Sequence, residues 1–406
     1  MYRQIVASAA ALATIALLSS GCNGLQSARR DADLHYQRGQ WSEALVRYRD
    51  ACRKYSWVVS VCFKWGLVAQ RLKRYDEAKE AYRLTLRANP RIPSVYNNLG
   101  AIAWIQRELS DAERHFRKAI ELDPSNSVEA HNNLAMVLLR KGQTKLALEE
   151  LVHAKNKWPK PQLMSTLQVN LGRAYFQLGK FRESLSEYLQ ALESDPNNVH
   201  AHNNLGVIYA KMQQFQNARL HLSITLKLRP DDVAPYYNLG IVAFLEGKYG
   251  QSVQSNKDAL RHAPRYVRAY NNMAMAYYRL GDFKLANDAL QESLRIDNRY
   301  GAAYNGLAVL AIARSRYGEA IRLLSKAIDL TPRVATFHFN LGLTYFKTKA
   351  YAKALSAFER AQELDPEFPG VQENIKALRN LIDNRSGGSL LPYPRIRWRL
   401  GGGQVR

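Results

Sequence analysis

The sequence lacks the motifs that carry enzyme chemistry. It contains no HExxH, no Gly-rich phosphate loop and no GxSxG elbow. His200 and His202 form a lone His-x-His without an acidic or cysteine partner nearby, which does not make a metal site. Only a short stretch follows residue 368, too little for a catalytic domain. We therefore predict no catalytic residues, no metal and no cofactor, so the protein should not be an enzyme.

Acidic residues are also scarce. Asp and Glu number 35 against 58 for Lys and Arg, which gives a formal charge of +23. This excess favours acidic or polyanionic partners and electrostatic steering toward them, but it does not say which polyanion. The apolar share of 47%, with 23 tyrosines against 14 prolines and 23 glycines, argues against a low-complexity chain. We expect disorder at the two ends alone.

Long hydrophobic runs are scarce too, and the clearest one lies near the N-terminus. Ile5 to Leu18 is fourteen residues without a charge, too short to span a bilayer as a helix and typical of a signal peptide. The LSSGC that ends at Cys22 resembles the lipobox of bacterial lipoproteins, although Ser19 stands where leucine is usual. The resemblance implies a lipidated Cys22, with plain signal cleavage and an uncleaved anchor as the alternatives. Asn23 implies the outer membrane within the same resemblance.

Two other cysteines are present, Cys52 and Cys62. In an oxidising periplasm they could form a disulfide across a turn. Cysteine is also among the residues most often buried as small apolar side chains. The sequence leaves both alternatives open.

A 34-residue repeat runs along most of the chain. Repeats 2 to 10 begin at Val59, Pro93, Val128, Ser165, Val199, Val233, Val267, Gly301 and Ala335, after a degenerate repeat 1 from about Leu25. Position 8 of each repeat is Gly or Ala, positions 20 and 27 are usually Ala, and position 32 is usually Pro. Positions 4, 7, 8 and 11 form an apolar stripe on a first helix. The small residues let a second, antiparallel helix approach, and the proline ends it.

This pattern resembles the tetratricopeptide repeat. Repeat 10 shows the expected residue types at all the expected offsets: Leu341, Gly342, Tyr345, Ala354, Phe358, Ala361 and Pro366. The resemblance implies an all-α fold, a right-handed superhelical solenoid of about ten helix-turn-helix repeats whose first helices line a concave groove. We assign residues 1–21 to a signal peptide, 22–30 to a lipidated cysteine and tether, and 31–368 to the repeats. A capping helix at 369–383, with Val371, Ile375, Leu378 and Ile382 on one face, and a basic flexible tail at 384–406 would follow.

Asparagine recurs at position 6 of seven repeats: Asn98, Asn133, Asn170, Asn204, Asn238, Asn272 and Asn340. At 100° per residue this position lies about 150° from the apolar stripe, so we predict that it faces out of the packing. A similar asparagine ladder in the O-linked GlcNAc transferases holds peptide backbone, and the resemblance implies the same role without the transferase activity. A solvated helix face, or a bond to the neighbouring repeat, is the alternative.

Cations occupy position 13 of every second repeat: Arg71, Arg140, Lys211, Arg279 and Lys347. Position 9 beside them is mostly apolar. We predict that this face binds an extended peptide, because amides suit its backbone, apolar groups its side chains and cations its carboxylates. Chance or a need for solubility would also explain the cations.

These features together predict a non-enzymatic scaffold in the bacterial cell envelope. It would be lipid-anchored in the outer membrane, face the periplasm and bind other proteins in its groove during assembly of a pilus or secretion complex. The alternatives are a scaffold for export of an anionic polysaccharide and a repeat adaptor without lipidation. We expect no nucleic-acid partner, because the compartment does not suit one.

Overall fold

A computed structural model describes residues 24–157 and 161–383. The expected signal peptide, Cys22 and the basic tail from residue 384 lie outside the described residues. In the described ranges every regular element is an α-helix, which confirms the predicted all-α solenoid of helix hairpins. None of these helices is long and apolar enough to cross a membrane. The chain divides into two compact units, residues 1–194 and 195–406.

The first unit contains ten helices in its described part. Helix α1 covers residues 24–37. The others are α2 (Trp41–Lys54), α3 (Val59–Arg71), α4 (Tyr75–Ala88), α5 (Pro93–Ile105), α6 (Leu109–Leu122), α7 (Val128–Arg140), α8 (Thr144–Lys157), α9 (Pro161–Gln177) and α10 (Phe181–Ser194). The odd-numbered helices from α3 to α19 are the first helices of repeats 2 to 10, and each packs on the even-numbered helix that follows it.

The second unit contains eleven helices in its described part. They are α11 (Val199–Lys211), α12 (Phe215–Leu228), α13 (Val233–Leu245), α14 (Tyr249–His262), α15 (Val267–Leu280), α16 (Phe283–Ile296), α17 (Gly301–Ala313), α18 (Tyr317–Leu330), α19 (Ala335–Lys347), α20 (Tyr351–Leu364) and α21 (Val371–Asp383). Helix α21 packs on α20 through the buried Val371, Ile375 and Leu378, whereas Ile382 is exposed.

Position 8 of each first helix lies against position 24 of the second. A Cβ added to Gly100 would lie 2.6 Å from the ring of Phe116, so the ring occupies the space that a side chain would need. Ala135 at the same position of repeat 4 faces the smaller Leu151, and both side chains are fully buried. In these two repeats a smaller residue at position 8 accompanies a larger one at position 24, whereas Gly206 faces Leu222 and Gly240 faces Asn256.

The side chain at position 4 forms a hydrogen bond with the loop between successive repeats. The hydroxyl of Tyr96 donates to the carbonyl oxygen of Pro90 at 3.2 Å, and that of Tyr236 donates to Pro230 at 3.2 Å. Two histidines at this position make the same contact through a ring nitrogen, His202 with Pro196 at 3.0 Å and His338 with Pro332 at 2.9 Å. The polar atom at position 4 therefore satisfies a carbonyl that follows the end of the preceding second helix.

Cys52 and Cys62 form a disulfide that joins α2 to α3, and both cysteines are fully buried. This resolves the two alternatives that the sequence left open. A covalent link between repeats 1 and 2 restricts the unfolded chain and so favours the folded state.

Replacing Gly100 by Ala should lower the free energy of unfolding by about 1–3 kcal/mol, because the new Cβ would overlap the Phe116 ring. Thermal unfolding followed by circular dichroism measures the effect. The double variant Gly100→Ala/Phe116→Leu recreates the pair seen at Ala135 and Leu151, so it should recover part of the loss.

The matched control is Gly250→Ala, at a helical glycine where a Cβ would meet nothing within 4 Å. This variant should be no less stable than the natural chain, since alanine is the better helix former. Equal stability of Gly100→Ala and the natural chain would show that the close approach at position 8 is not a constraint.

Candidate functional site

First helices of neighbouring repeats contact one another within each unit. In the first unit α5 contacts α7 and α7 contacts α9, and in the second unit the same holds from α11 through α19. Second helices pack mainly on first helices. We call the side chains at positions 2, 6, 9 and 13 of the first helices the first-helix face, since the sequence places the predicted binding residues there.

The asparagines at position 6 are more deeply placed than predicted. The prediction that they face out of the packing is wrong for four of them, which are at most 8% exposed: Asn170, Asn238, Asn272 and Asn340. The physical reason is the contact between neighbouring first helices, which covers position 6. The half-buried Asn98, Asn133 and Asn204 keep surface with which to contact a ligand.

Most of these asparagines pair with an asparagine at position 5 of the preceding repeat. In each pair the Nδ2 group of position 6 donates to the Oδ1 atom of position 5: Asn133 to Asn97 at 3.1 Å, Asn170 to Asn132 at 2.7 Å, Asn238 to Asn203 at 3.0 Å and Asn340 to Asn305 at 2.8 Å. We call these four bonds the asparagine ladder. They give a buried amide its partner and tie successive repeats together, which is the structural alternative that the sequence left open.

Where position 5 of the preceding repeat is not asparagine, the bond changes. Asn98 follows a repeat with Phe63 at position 5, and its Nδ2 group donates instead to the Tyr82 hydroxyl at 3.2 Å. Sequence reasoning missed position 5. The doubled asparagine of the NNL stretches was the available signal. Its second residue, at position 6, bonds to the preceding repeat, and its first residue, at position 5, bonds to the following one.

The position 13 arginines stack on aromatic rings of the preceding repeat. The guanidinium carbon of Arg71 lies 4.0 Å from the centre of the Trp41 ring. Arg140 lies 5.1 Å from the Trp104 ring and Arg279 lies 4.6 Å from the Tyr249 ring. Such contacts contribute about 0.5–1 kcal/mol at exposed sites, so a cation in alternate repeats serves packing as well as charge. Lys211 and Lys347 are exposed, and carboxylate binding by the five cations stays a prediction.

The apolar side chains at position 9 are accessible in some repeats and buried in others. Ala101 and Met136 of the first unit and Val207 and Ile241 of the second are half-buried. The same position is buried in repeats 8 to 10, at Met275, Val309 and Leu343. Leu67 of repeat 2 is half-buried as well, so the apolar surface that a ligand could reach lies in repeats 2 to 4 and in repeats 6 and 7.

No group of three or more His, Cys, Asp and Glu side chains in the described ranges is arranged to hold a metal ion. The closest histidine pair is structural: His202 is 5% exposed, and its Nδ1 atom lies 2.9 Å from that of His221. Burial lowers the pKa of His221, and the electrostatic effect of His202 lowers it further.

Comparison with known families identifies these helix hairpins. Tetratricopeptide repeat models match residues 63–127, 115–149, 233–299, 271–334 and 305–369, and a TPR repeat model matches residues 172–213. Together they cover most of the chain. The protein belongs to the tetratricopeptide repeat family.

Individual relatives are distant. RNA polymerase II-associated protein 3 of Xenopus tropicalis is 26% identical over 178 residues, 41% of this chain and 27% of that protein. The chain thus spans about a quarter of the length of this curated relative. Yeast Tom70 superposes with a TM-score of 0.54 at 14% identity, over 89% of this chain and 96% of that one. A chain of the APC/C hetero-tetramer Cut9-Hcn1 superposes with a TM-score of 0.53 at 14% identity, over 86% of this chain and 74% of that one. At these identities the two structures show the fold alone.

Replacing Asn238 by Ala should lower the free energy of unfolding by about 1–2 kcal/mol, because the Asn203 oxygen loses its donor in the ladder. Urea unfolding followed by circular dichroism measures the loss. A double-mutant cycle with Asn203→Ala should give a coupling of about 0.5–1.5 kcal/mol between the two side chains.

Asn217→Ala is the matched control, at an exposed asparagine of a second helix, and should change stability by less than about 0.5 kcal/mol. Equal losses in the Asn238 and Asn217 variants, or an absence of coupling, would contradict a structural role for the ladder.

Proposed function

We propose that this protein is a non-enzymatic, lipid-anchored scaffold of the bacterial envelope that holds a segment of another protein on its first-helix face. Tetratricopeptide arrays bind other proteins on the surface that their stacked helices form. The observation that carries the proposal is the accessible apolar surface at position 9, at Ala101 and Met136 in one unit and at Val207 and Ile241 in the other. Exposed cations of position 13 flank it and suit acidic groups on the partner.

The N-terminal sequence supports the envelope part of the proposal. A signal-like apolar segment followed by LSSGC gives the chain both an export signal and a site for acylation at Cys22. A tethered repeat array with a protein-binding face fits assembly of a pilus or secretion complex in that compartment. The disulfide between Cys52 and Cys62 agrees with an oxidising environment.

Replacing Cys22 by Ser should release the protein from the membrane fraction of an expressing bacterium, because the acyl chains have no other attachment site. Fractionation and immunoblotting measure the distribution. Cys52→Ser is the matched control, since it removes a cysteine and the disulfide but leaves Cys22, and it should stay in the membrane fraction. Membrane association of Cys22→Ser equal to that of the natural chain would contradict lipidation.

A photo-crosslinking amino acid at Ile241 should trap a discrete partner protein in cells, because this side chain is apolar, half-buried and part of the accessible first-helix face. The matched control is the same substitution at Leu220, an apolar residue of second helix α12 that is 57% exposed. Crosslinks from Leu220 alone would move the binding surface to the second helices. An absence of crosslinks at both positions would contradict the scaffold.

The formal charge of +23 favours one second candidate, a scaffold for export of an anionic polysaccharide. The same exposed cations would then contact uronate or phosphate groups. Salt separates the two candidates, since polyanion binding weakens steeply between low and moderate salt, whereas peptide binding through amides and apolar contacts weakens less.

A further inference from the structure

The most exposed large apolar side chain in the described ranges is Trp57, in the turn between α2 and α3. This residue is 68% exposed. An indole carries more apolar surface than most side chains, and leaving it in water forgoes the free energy that its burial would contribute. Exposed apolar side chains also occur singly on many proteins. The surroundings of Trp57 therefore decide whether it marks a binding surface.

The turn that carries Trp57 is tied to the fold by its backbone and by a disulfide. We call residues 54–58 the Trp57 turn. The backbone N–H of Val58 donates to the carbonyl oxygen of Tyr55 at 2.9 Å, which closes a four-residue turn around Trp57. The disulfide between Cys52 and Cys62 joins the helices on the two sides of it. The ring of Trp57 meets the ring of the buried Tyr55 edge to face, with centres 5.8 Å apart.

The start of α1 lies against the Trp57 turn. A Cβ added to Gly24 would lie 2.8 Å from the hydroxyl oxygen of Tyr55, so the first residue of this helix contacts the side chain on which Trp57 packs. Cys22, the predicted site of acylation, stands two residues before Gly24 in the sequence. Two residues span at most about 7 Å. The point at which the chain would be attached to the membrane is therefore close to the Trp57 turn.

A cation of the Trp57 turn has no carboxylate partner in the described part of the chain. Lys54 is exposed, and its Nζ atom lies 5.5 Å from the centre of the Tyr55 ring. It forms no ion pair with a described residue, whereas the neighbouring Arg53 pairs with Glu80 at 3.5 Å. The turn thus combines an exposed indole with a lysine whose charge is available to an anion.

We propose that the Trp57 turn lies on the surface of a lipid bilayer beside Cys22, and that this second contact sets how the repeats of the first unit are oriented on the membrane. Tryptophan is enriched at membrane interfaces, where its ring lies among apolar groups and its N–H among polar ones. A lysine at the same depth attracts anionic headgroups.

The position of the turn favours a bilayer over a protein partner, because an acylated Cys22 would keep the bilayer within reach of Trp57 at all times. Acyl chains on one residue fix a point of attachment but leave the protein able to tilt about it. A second contact beside that point restricts the tilt. The inference rests on the lipid anchor of the proposed function.

The test replaces Trp57 by the photo-reactive aromatic residue p-benzoylphenylalanine in the full chain, purified from bacteria and reconstituted into vesicles of phosphatidylethanolamine and phosphatidylglycerol. Because residue 57 is exposed, the helical signal should not change. Irradiation should join residue 57 to phospholipid, and mass spectrometry of the peptide that contains it detects the adduct. The matched control is the same replacement at Leu146, an apolar residue of α8 in the same unit that is 46% exposed. We expect a lipid adduct at residue 57 and none at residue 146.

Lys54→Glu in the labelled chain should lower the yield of the lipid adduct at least about fivefold, since a lysine near an anionic surface loses its attraction to it. Lys145→Glu makes the same change of charge at an exposed lysine of α8, and it should leave the yield within about twofold. Equal losses in the two charge variants would overturn the contact between Lys54 and headgroups.

Three results would overturn the membrane contact as a whole. They are an absence of lipid adducts at residue 57, equal yields at residues 57 and 146, and a covalent dimer in place of the lipid adduct, which would indicate an interface between two copies of the chain. Irradiation of the expressing bacterium that joins residue 57 to another protein instead of lipid would overturn it in favour of a protein partner.

Fractionation of Cys22→Ser reports on the lipid anchor independently. Release of this variant from the membrane fraction, together with no lipid adduct at residue 57, leaves the proposed anchor standing and removes the Trp57 contact. A lipid adduct at residue 57, together with a Cys22→Ser variant that stays in the membrane fraction, keeps the Trp57 contact and removes the acyl anchor.

Discussion

The close approach of positions 8 and 24 within each hairpin is the contact on which the rest of the structure depends. Gly100 leaves the space that the Phe116 ring fills, and Ala135 leaves the smaller space that Leu151 needs. Both pairs fill the space between the two helices at this position, so the same contact recurs in successive hairpins. In a repeat array whose stability is a sum of neighbour contacts, that constancy lets one interface be used again and again.

The asparagine ladder depends on this regularity and in turn specifies the register between repeats. Asn238 meets Asn203, and Asn340 meets Asn305, because neighbouring first helices lie at a fixed offset. A shift by one residue would break these bonds between positions 5 and 6, at a cost of about 1–3 kcal/mol for each buried group left unpaired. Apolar contacts tolerate small displacements, whereas a buried polar pair does not, so the ladder selects one arrangement.

Sequence reasoning predicted the hairpins well, because the 34-residue period, the small residues and the prolines are set inside a single repeat. It was wrong about Asn170 and Asn340, since a helical wheel measures direction from the hairpin's own stripe and ignores the helix of the next repeat. Position 6 lies outside the contact between the two helices of a hairpin, but inside the contact between the first helices of neighbouring repeats. Pairing of Cys52 with Cys62 was undecidable for a related reason: it depends on how closely two helices approach, which no local pattern records.

Differences between repeats matter for binding as well as for stability. An array of near-identical repeats would bind a ligand equally well in several registers, because successive repeats present the same side chains. In the second unit the first-helix face changes at repeat 8. The apolar side chain of position 9 is accessible at Val207 and Ile241 but buried at Met275. Apolar contacts that are available in repeats 6 and 7 and unavailable in repeat 8 would limit where a bound segment can lie along this face.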